Sequence, residues 1–317
     1  MKVSKQNIVI FDDSNYEFIC GYMKNNILYP IYAVKDAYSN IDDLIKDIKD
    51  HISESKNKYL TFIYCGSELL DKVEFINKNI MNIPAEILKR FKNTFEVELK
   101  DYLIDYSLSE TDSEYLAYIC GIPKQYESIF TNLKNVKLLS CFSDIYATSL
   151  FFKDELDISL KLNVRDKQTI IFISSGENIL FTRGLNIGYN HIIEKISIDG
   201  GVPTEKVIDY LENVGVDEYE TDEMNNISST IRDNIDRISL EIQRTLDYYN
   251  RYINKGSVNS INIIGRFNRI KAIEKYYNKL FNMKVIKTVP ENYVAESNFN
   301  FEDFDYLIET LGAFKEI

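Results

Sequence analysis

The sequence contains no tryptophan, only five prolines and only four cysteines among its 317 residues. The cysteines Cys20, Cys65, Cys120 and Cys141 are far apart and include no Cys-x-x-Cys pair. Each lies in an apolar, strand-like or strand-flanking stretch. We therefore expect four buried, reduced thiols rather than a metal or disulfide framework.

Histidine is even scarcer, since His51 and His191 are the only two. They are too few and too far apart to predict a metal site or a Ser-His-Asp triad, and the sequence indicates no catalytic residue. No run of about 18 apolar residues is present, so no membrane-spanning helix is predicted. The first residues also lack the apolar segment and cleavage site of a signal peptide, and the sequence therefore fits the cytoplasm.

Positive charge is in deficit, with 37 Lys plus Arg against 49 Asp plus Glu and a formal net charge of −12. This balance disfavours a nucleic-acid duplex and an anionic membrane surface as direct partners. The 45% hydrophobic residues are ordinary for a globular protein. A length above 300 residues predicts two hydrophobic cores.

Apolar patterning predicts a first lobe from residues 1–82 plus 140–155. Three β-rich stretches joined by short turns begin at Ile8, Tyr16 and Ile27, and they predict a three-stranded meander. Helical spacing follows from Ile41 to Ile52, before another strand that begins at Tyr59.

Residues 83–139 read as helix, strand, strand, helix and strand, which predicts a small α+β subdomain inserted into the first lobe. Pro84 fits the first turn of its first helix. The two strands, 101–108 and 115–122, are separated by an acidic turn.

Residues 156–301 repeat the opening plan, with a second three-stranded meander that predicts a second lobe by structural duplication. A helical subdomain is expected around 200–256, where apolar residues from Ile227 to Ile253 step by three or four residues along one long helix. We also expect a strand at 260–264, a helix from Phe267 to Phe281, and a final helix over 302–316 that could pack back on the first lobe.

Three local motifs follow one another in this second half. They are Phe181-Thr182-Arg183 with Gly188, Glu241 with Arg244 and Tyr249, and the strand 261–264 that ends at Gly265. In order and spacing the chain resembles the PilM family of pilus assembly proteins, which is related to the division protein FtsA. The resemblance implies an α/β, two-lobed actin-like (ribonuclease H-like) fold with a small α+β subdomain inserted in the first lobe.

The nucleotide motifs of that superfamily are degenerate in this sequence. The first phosphate loop keeps Asp12 but has Ser14 in place of a glycine, and it is followed by Glu17, whose carboxylate we expect to repel phosphate. In the second loop Asn163 replaces an acidic residue and Arg165 replaces a glycine. In the adenosine loop a glycine pair is reduced to Gly265-Arg266.

Side chains at these positions would stand where phosphates pass, because only glycine lets the backbone approach them closely. We therefore hypothesise a pseudo-ATPase without a cofactor, which binds ATP and magnesium only if the degenerate cleft still admits them. The alternative is an active actin-like ATP-binding protein of the pilus, secretion or division machinery. A polymerising division-type protein is disfavoured, because the final helix is not followed by a linker and a membrane-targeting helix.

The resemblance also implies a partner, the short cytoplasmic tail of a PilN-like inner-membrane protein. This tail would lie as an extended peptide between the first lobe and the inserted subdomain. The residues expected to line the peptide groove are Ile83, Ile87, Leu88, Tyr102, Ile104 and Tyr106. The chain itself would be cytoplasmic and held at the inner face of the membrane through its partners, with no nucleic acid bound and no transmembrane insertion of its own.

Overall fold

The computed structural model describes residues 5–111, 113–133, 135–291, 293–294 and 304–316. The chain forms two compact units, which we call the first lobe (Met1–Asp154, Gly176–Ile179 and Pro290–Ile317) and the second lobe (Glu155–Ser175 and Leu180–Val289). Each lobe is built on a five-stranded sheet.

The first lobe opens with the predicted meander and helix. Its elements are β1 (Gln6–Phe11), β2 (Asn15–Lys24), β3 (Ile27–Ala37), α1 (Ile41–Ser55) and β4 (Tyr59–Tyr64). Strand β1 pairs antiparallel with β2 and parallel with β4, so it is central and buried on both faces, as its continuous apolar run requires. Asn40 caps α1 by accepting a hydrogen bond from the Asp43 N–H at 3.0 Å.

The inserted subdomain is a three-stranded antiparallel sheet in the order β5-β7-β6, covered on one face by a helix. Its elements are β5 (Leu70–Asn77), α2 (Ile83–Phe95), β6 (Tyr102–Glu110) and β7 (Glu114–Pro123). Helix α3 (Glu127–Asn132) follows β7 but buries Ile129 in the core of the first sheet, against α1. Its own small core contains Ile76, Phe91 and Ile119. Because β5 pairs with β7 along its whole length, the insert begins ahead of residue 83, and the predicted boundary is wrong.

The end of the predicted insert also belongs elsewhere. Strand β8 (Lys137–Ser143) pairs in parallel with β4 and completes the first sheet, in the order β3-β2-β1-β4-β8. Helix α4 (Asp144–Phe151) follows it directly. The pairing of β8 with β4 could not be deduced locally, since more than 70 residues separate the two strands.

The second lobe repeats this plan, with a sheet in the order β11-β10-β9-β12-β13. Its elements are β9 (Ile158–Val164), β10 (Thr169–Ser175), β11 (Asn178–Leu185), α5 (Tyr189–Gly200), α6 (Thr204–Asn213), α7 (Asp222–Tyr248), β12 (Ser260–Gly265), α8 (Ile273–Phe281) and β13 (Lys284–Lys287). The equivalent strand order confirms the predicted duplication. The prediction of a single helix over 267–281 is wrong. A 3₁₀ turn occupies Arg266–Arg269, Ala272 has a left-handed backbone conformation, and α8 begins only at Ile273.

The last helix, α9 (Leu307–Glu316), packs on the first lobe against α4, β1 and β2. One face of the first sheet buries Val9 and Phe62 with α1. The opposite face buries Ile8 and Ile10 with Leu311 of α9. The start predicted for this helix, at 302, lies outside the described residues.

Candidate functional site

The β1–β2 turn holds the first pair of predicted site residues, Asp12 and Ser14. Asp12 Oδ1 accepts hydrogen bonds from the backbone N–H groups of Ser14 and Asn15, both at 2.8 Å, and the Asp12 N–H donates to the Asn15 carbonyl at 3.0 Å. Three of the four N–H groups of the turn 12–15 are thus satisfied inside the turn. A phosphate-binding hairpin needs such groups to point outward at the ligand.

The second carboxylate oxygen of Asp12 is also engaged. The Tyr306 hydroxyl, just before α9, donates to Asp12 Oδ2 at 3.2 Å, and the Tyr38 hydroxyl donates to the Asp12 carbonyl. The neighbouring Asp13 turns away and accepts from the Ser67 hydroxyl at 2.6 Å, as expected for adjacent residues at a strand end. The described residues contain no group of three or more acidic, histidine or cysteine side chains placed to hold a metal ion.

The expectation that Glu17 would face phosphate is wrong. Glu17 lies in β2 with only 2% of its surface exposed, and its carboxylate accepts from the backbone N–H groups of Asp305 at 2.6 Å and Tyr306 at 3.3 Å. These amides precede α9, so Glu17 holds the start of that helix against the sheet. Burial raises the pKa of Glu17 from 4.5 to about 8, although Lys35 and the two N–H groups act in the opposite direction.

In the second lobe, the structure brings together all four predicted residues. Asn163, near the end of β9, is buried, and Arg165 is 9% exposed in the β9–β10 turn. The Arg165 N–H donates to the Gln168 carbonyl at 2.9 Å, which closes the turn. The first N–H groups of α5 then donate to the carbonyls of Arg165 and Asp166 at 2.7 and 3.0 Å, so this helix start is occupied by the turn itself.

Gly188 explains why the motif that begins at Phe181 ends in glycine. A Cβ atom at this position would lie 2.4 Å from the Asp166 carbonyl oxygen and from the carbonyl carbon of Lys167. The β9–β10 turn therefore packs directly on the backbone that enters α5. The glycine serves the packing of the turn, because no side chain fits there.

Gly265 and Arg266 stand beside this turn. Gly265 has φ +73° and ψ −146°, a conformation that glycine alone adopts readily, and a Cβ there would meet the Val164 carbonyl at 2.6 Å and Asn163 Oδ1 at 2.9 Å. The Arg266 guanidinium donates from Nε to Asp166 Oδ1 at 3.0 Å. An ion pair thus links the position of the second phosphate loop to that of the adenosine loop.

In each lobe taken by itself, the groups at the phosphate-loop positions already have partners within the protein. In the first lobe the Asp12 carboxylate accepts hydrogen bonds on both oxygens, and in the second lobe the turn 165–168 carries arginine and aspartate side chains in place of glycine. The resident hydrogen bonds would have to break before the same groups could bind phosphate or a hydrated metal ion.

The six residues predicted to line the partner groove lie on one side of the insert. Ile87 is fully buried in the core of the insert, and Ile83, Tyr102, Ile104 and Tyr106 are partly buried against that core. Leu88, 38% exposed, is the one that offers an open apolar surface. The placement of the partner groove on this side of the insert remains a prediction. Ile87 cannot contact a partner peptide there, because it is fully buried in the core of the insert.

The opposite side of the insert sheet faces β8 and α4 of the first lobe, a region that the sequence did not predict. Tyr118 of β7 bonds Ser143 at 2.7 Å and stacks on Tyr146 of α4, which fixes the insert to the lobe. Cys141 of β8 is exposed, contrary to the expectation of four buried thiols, yet its surroundings desolvate the thiol and, with Asp105 of β6, raise its pKa to about 12.

We name this feature the β6–β8 groove and define it by Asp105, Cys120, Leu138 and Cys141. Burial, followed by the charges of Cys141 and Asp105, raises the thiol pKa of Cys120, which places these side chains close together. Strand β6 pairs only with β7, and β8 only with β4, in the part of the chain that the structure describes. Both β6 and β8 are therefore edge strands of their sheets. The sequence did contain a signal for the position of Asp105. Side chains alternate along β6, so Asp105, between the core residues Ile104 and Tyr106, must face away from the core of the insert.

No helix within the described ranges combines the length and apolar character needed to cross a bilayer. No protein-family model matches the sequence, and no curated protein matches it. Known structures do match the fold across almost the whole chain.

A PilM-PilN type IV pilus biogenesis complex is similar with a TM-score of 0.71 and 10% identity, over 99% of this chain and 98% of that chain. The ethanolamine utilization protein EutJ from Carboxydothermus hydrogenoformans is similar with a TM-score of 0.53 and 9% identity, over 99% of this chain and 90% of that chain. At these identities the likeness concerns the fold. Together with the repeated five-stranded sheets and the three-stranded insert, it shows that this chain has the actin-like ATPase fold.

Proposed function

We propose that this chain is a PilM-like adaptor of type IV pilus assembly that binds the cytoplasmic tail of a PilN-like inner-membrane protein. The observation that carries the proposal is the likeness of nearly the whole chain, insert included, to a PilM-PilN complex. In this proposal the chain lies at the cytoplasmic face of the membrane and is held there by its partner.

The β6–β8 groove suits an extended peptide better than the α2 side of the insert does. An extended peptide can hydrogen-bond to an exposed strand edge while its side chains enter pockets between the strands. The two flanking edges supply the backbone groups, and Leu138, 43% exposed, supplies an apolar contact on β8. On the α2 side, by contrast, most of the predicted residues are already committed to the core of the insert.

The second part of the proposal is that nucleotide binding is lost. Its support is the chemistry of each lobe taken separately, since Asp12 is committed to Ser14, Asn15 and Tyr306, and Arg266 is paired with Asp166. In this reading the fold serves as a rigid scaffold for the peptide groove, and no catalytic residue is assigned.

The test is fluorescence anisotropy with a labelled synthetic peptide that copies the cytoplasmic tail of the PilN-like membrane protein that this proposal implies as the partner. Leu138→Glu should weaken binding by about tenfold or more, because burial of a leucine side chain contributes about 1.5–3 kcal/mol. Leu88→Glu is the matched control on the α2 side and should leave the affinity unchanged. The reverse pattern would place the peptide on the α2 side, and no saturable binding by the wild-type chain would refute the adaptor proposal.

A further inference from the structure

Two of the sequence motifs, the one that begins at Phe181 and the one that begins at Glu241, contact each other in the second lobe. The proposed function does not use either of them. Arg183, from the motif in β11, pairs with Glu241 of α7, and Glu241 also accepts from Arg244 Nη1 at 2.5 Å. Phe181, on the same face of β11, contacts the Tyr248 ring at a centroid distance of 5.3 Å. The strand and the helix therefore run side by side in opposite directions, held by an ion-pair triad and a ring contact.

A row of exposed side chains lies next to this strand, on α7 and on the π-helical turn Tyr249–Ile253 that continues it. Leu240, Tyr248 and Tyr252 are 60%, 47% and 65% exposed, and Tyr248 contacts Tyr252 at a centroid distance of 4.9 Å. Steps of three and four residues place them on one face of the helix with Arg237 and Arg244, which are also exposed. We name this row, with Arg251, the α7 ledge.

The ledge borders a sheet edge that has few of the usual protections against strand pairing. β11 is the end strand of its sheet, and no backbone hydrogen bond beyond the sheet is seen for it among the described residues. It has eight residues without proline or lysine, and a Cβ at Gly184 would lie in open space. The opposite edge, β13, has only four residues and a lysine at each end, whereas β3 contains Pro30 and pairs with Tyr293. Short strands, lysine, proline and cover are the usual protections of an edge.

Charge indicates what kind of segment fits. In a chain of net charge −12, four of the nine arginines (Arg183, Arg237, Arg244 and Arg251) lie in or beside the ledge. Glu241 and the exposed Asp247 offset two of them, so the surface remains positive on balance and carries arginines among aromatic and aliphatic side chains. It complements a segment that alternates carboxylates with apolar side chains.

We propose that an extended acidic peptide segment of a partner protein docks on β11 as an additional strand, with its side chains on the α7 ledge. The ledge from Leu240 to Tyr252 spans about 18 Å along the helix. That length matches five or six residues of a β-strand at about 3.3 Å each. From Leu180 onward this surface lies in the second lobe, in a part of the chain that the proposed tail-binding groove does not use.

The experiment is fluorescence anisotropy of the full chain with a fluorescein-labelled decapeptide of alternating Glu and Val. We expect saturable binding with Kd below about 1 mM that weakens as salt is raised. Arg244→Glu and Tyr248→Ala should each weaken binding about tenfold. Lys206→Glu, an exposed charge reversal on α6, is the matched control and should bind as the wild type does.

Strand addition has its own readout. A strand presents alternate N–H groups to each side, so a peptide N-methylated at one alternate set of residues should lose binding and its counterpart at the other set should keep it. Equal binding of both methylated peptides would overturn strand addition. Absence of saturable binding, or binding of oligothymidylate or an alternating Lys-Val peptide in place of the Glu-Val peptide, would overturn the proposal as a whole. Unchanged unfolding curves of the variants confirm that each comparison uses folded protein.

Discussion

The Tyr306 hydroxyl donates a hydrogen bond to Asp12 Oδ2 at 3.2 Å, and so joins the segment that precedes the last helix to the first turn of the chain. Glu17 contacts the same segment, because its carboxyl group accepts hydrogen bonds from the backbone N–H groups of Asp305 and Tyr306. In an actin-like fold the aspartate of the first turn is the residue expected to face magnesium. Here its two oxygens serve the structure of the first lobe.

We predict that Mg·ATP at about 0.5 mM leaves the melting temperature of the wild-type chain unchanged, because we propose that the chain does not bind it. A ligand that did bind the native state would raise the melting temperature by mass action. Tyr306→Phe should lower the free energy of unfolding by about 1 kcal/mol, since it removes a hydrogen bond to a charged group. It should not create nucleotide binding, because the Ser14 and Asn15 amides still donate to Asp12. Differential scanning fluorimetry measures both effects, and a dose-dependent rise in melting temperature with Mg·ATP would contradict the pseudo-ATPase proposal.

The raised pKa of Glu17 predicts a pH dependence of stability with a definite sign. Between its ordinary pKa of 4.5 and about 8, Glu17 is protonated in the folded chain and ionised in the unfolded chain. The unfolded state then binds fewer protons, so the free energy of unfolding should fall as pH rises through this window, by at most about 1.4 kcal/mol per pH unit. Glu17→Gln should remove this contribution.

Urea unfolding at pH 5, 6, 7 and 8 for both proteins measures the difference. His51 titrates in the same range with the opposite sign, because burial between the Tyr16 and Tyr32 hydroxyls lowers its pKa, but it is common to both proteins and cancels in the comparison. Parallel pH profiles for the wild type and Glu17→Gln would show that Glu17 is ionised in the folded state across this range.

The sequence predicted elements that their own residues determine. The apolar run Ile8-Val9-Ile10-Phe11 predicts a strand covered on both faces, and the stripe from Ile227 to Ile253 predicts one face of a long helix. Strand β5 was missed because charged residues interrupt its apolar pattern, and it is stabilised by a partner strand, β7, from which 36 residues separate it. The insert boundary failed for the same reason at β8, whose pairing is also non-local.

The sequence predicted the site residues that lie in turns at the ends of strands. It did not predict the contacts of residues whose partners are distant in the chain. Asn163, Arg165, Gly265 and Arg266 come together because parallel pairing aligns the ends of β9 and β12. The role of Glu17 depends on α9, which follows almost 300 residues later, although strand parity already placed Glu17 on the same face as Ile19. Cys141 was expected to be buried, because its sequence neighbours do not show that β8 lies at a sheet edge.

Gly265 offers a test of the second-lobe turn. We expect Gly265→Ala to lower the free energy of unfolding by about 1–3 kcal/mol, because its backbone conformation is nearly restricted to glycine and a methyl group would press on the Val164 carbonyl. Gly184→Ala, in β11, is the matched control and should change stability by less than about 0.5 kcal/mol, since its Cβ would meet nothing within 4 Å. Equal effects in chemical unfolding would mean that the turn around Gly265 relaxes without cost.

Gly312 is the point of closest approach between α9 and α4. A Cβ at this position would lie 1.8 Å from the Ala147 carbonyl oxygen, so Gly312→Ala must push α9 away from α4 and loosen the apolar contacts around Leu311. We expect a loss of about 1–3 kcal/mol or more in the free energy of unfolding, as for other overpacked cores. Gly200→Ala, at the end of α5, is the control, because its Cβ would make only an ordinary contact at 3.6 Å and alanine favours the helix.

Because Glu17 and Tyr306 hold the residues just before α9, displacement of this helix should also expose the Asp305 and Tyr306 amides to faster hydrogen exchange in Gly312→Ala than in Gly200→Ala. Unchanged exchange there, with unchanged stability, would mean that α9 accommodates the methyl group without leaving its seat on the first sheet.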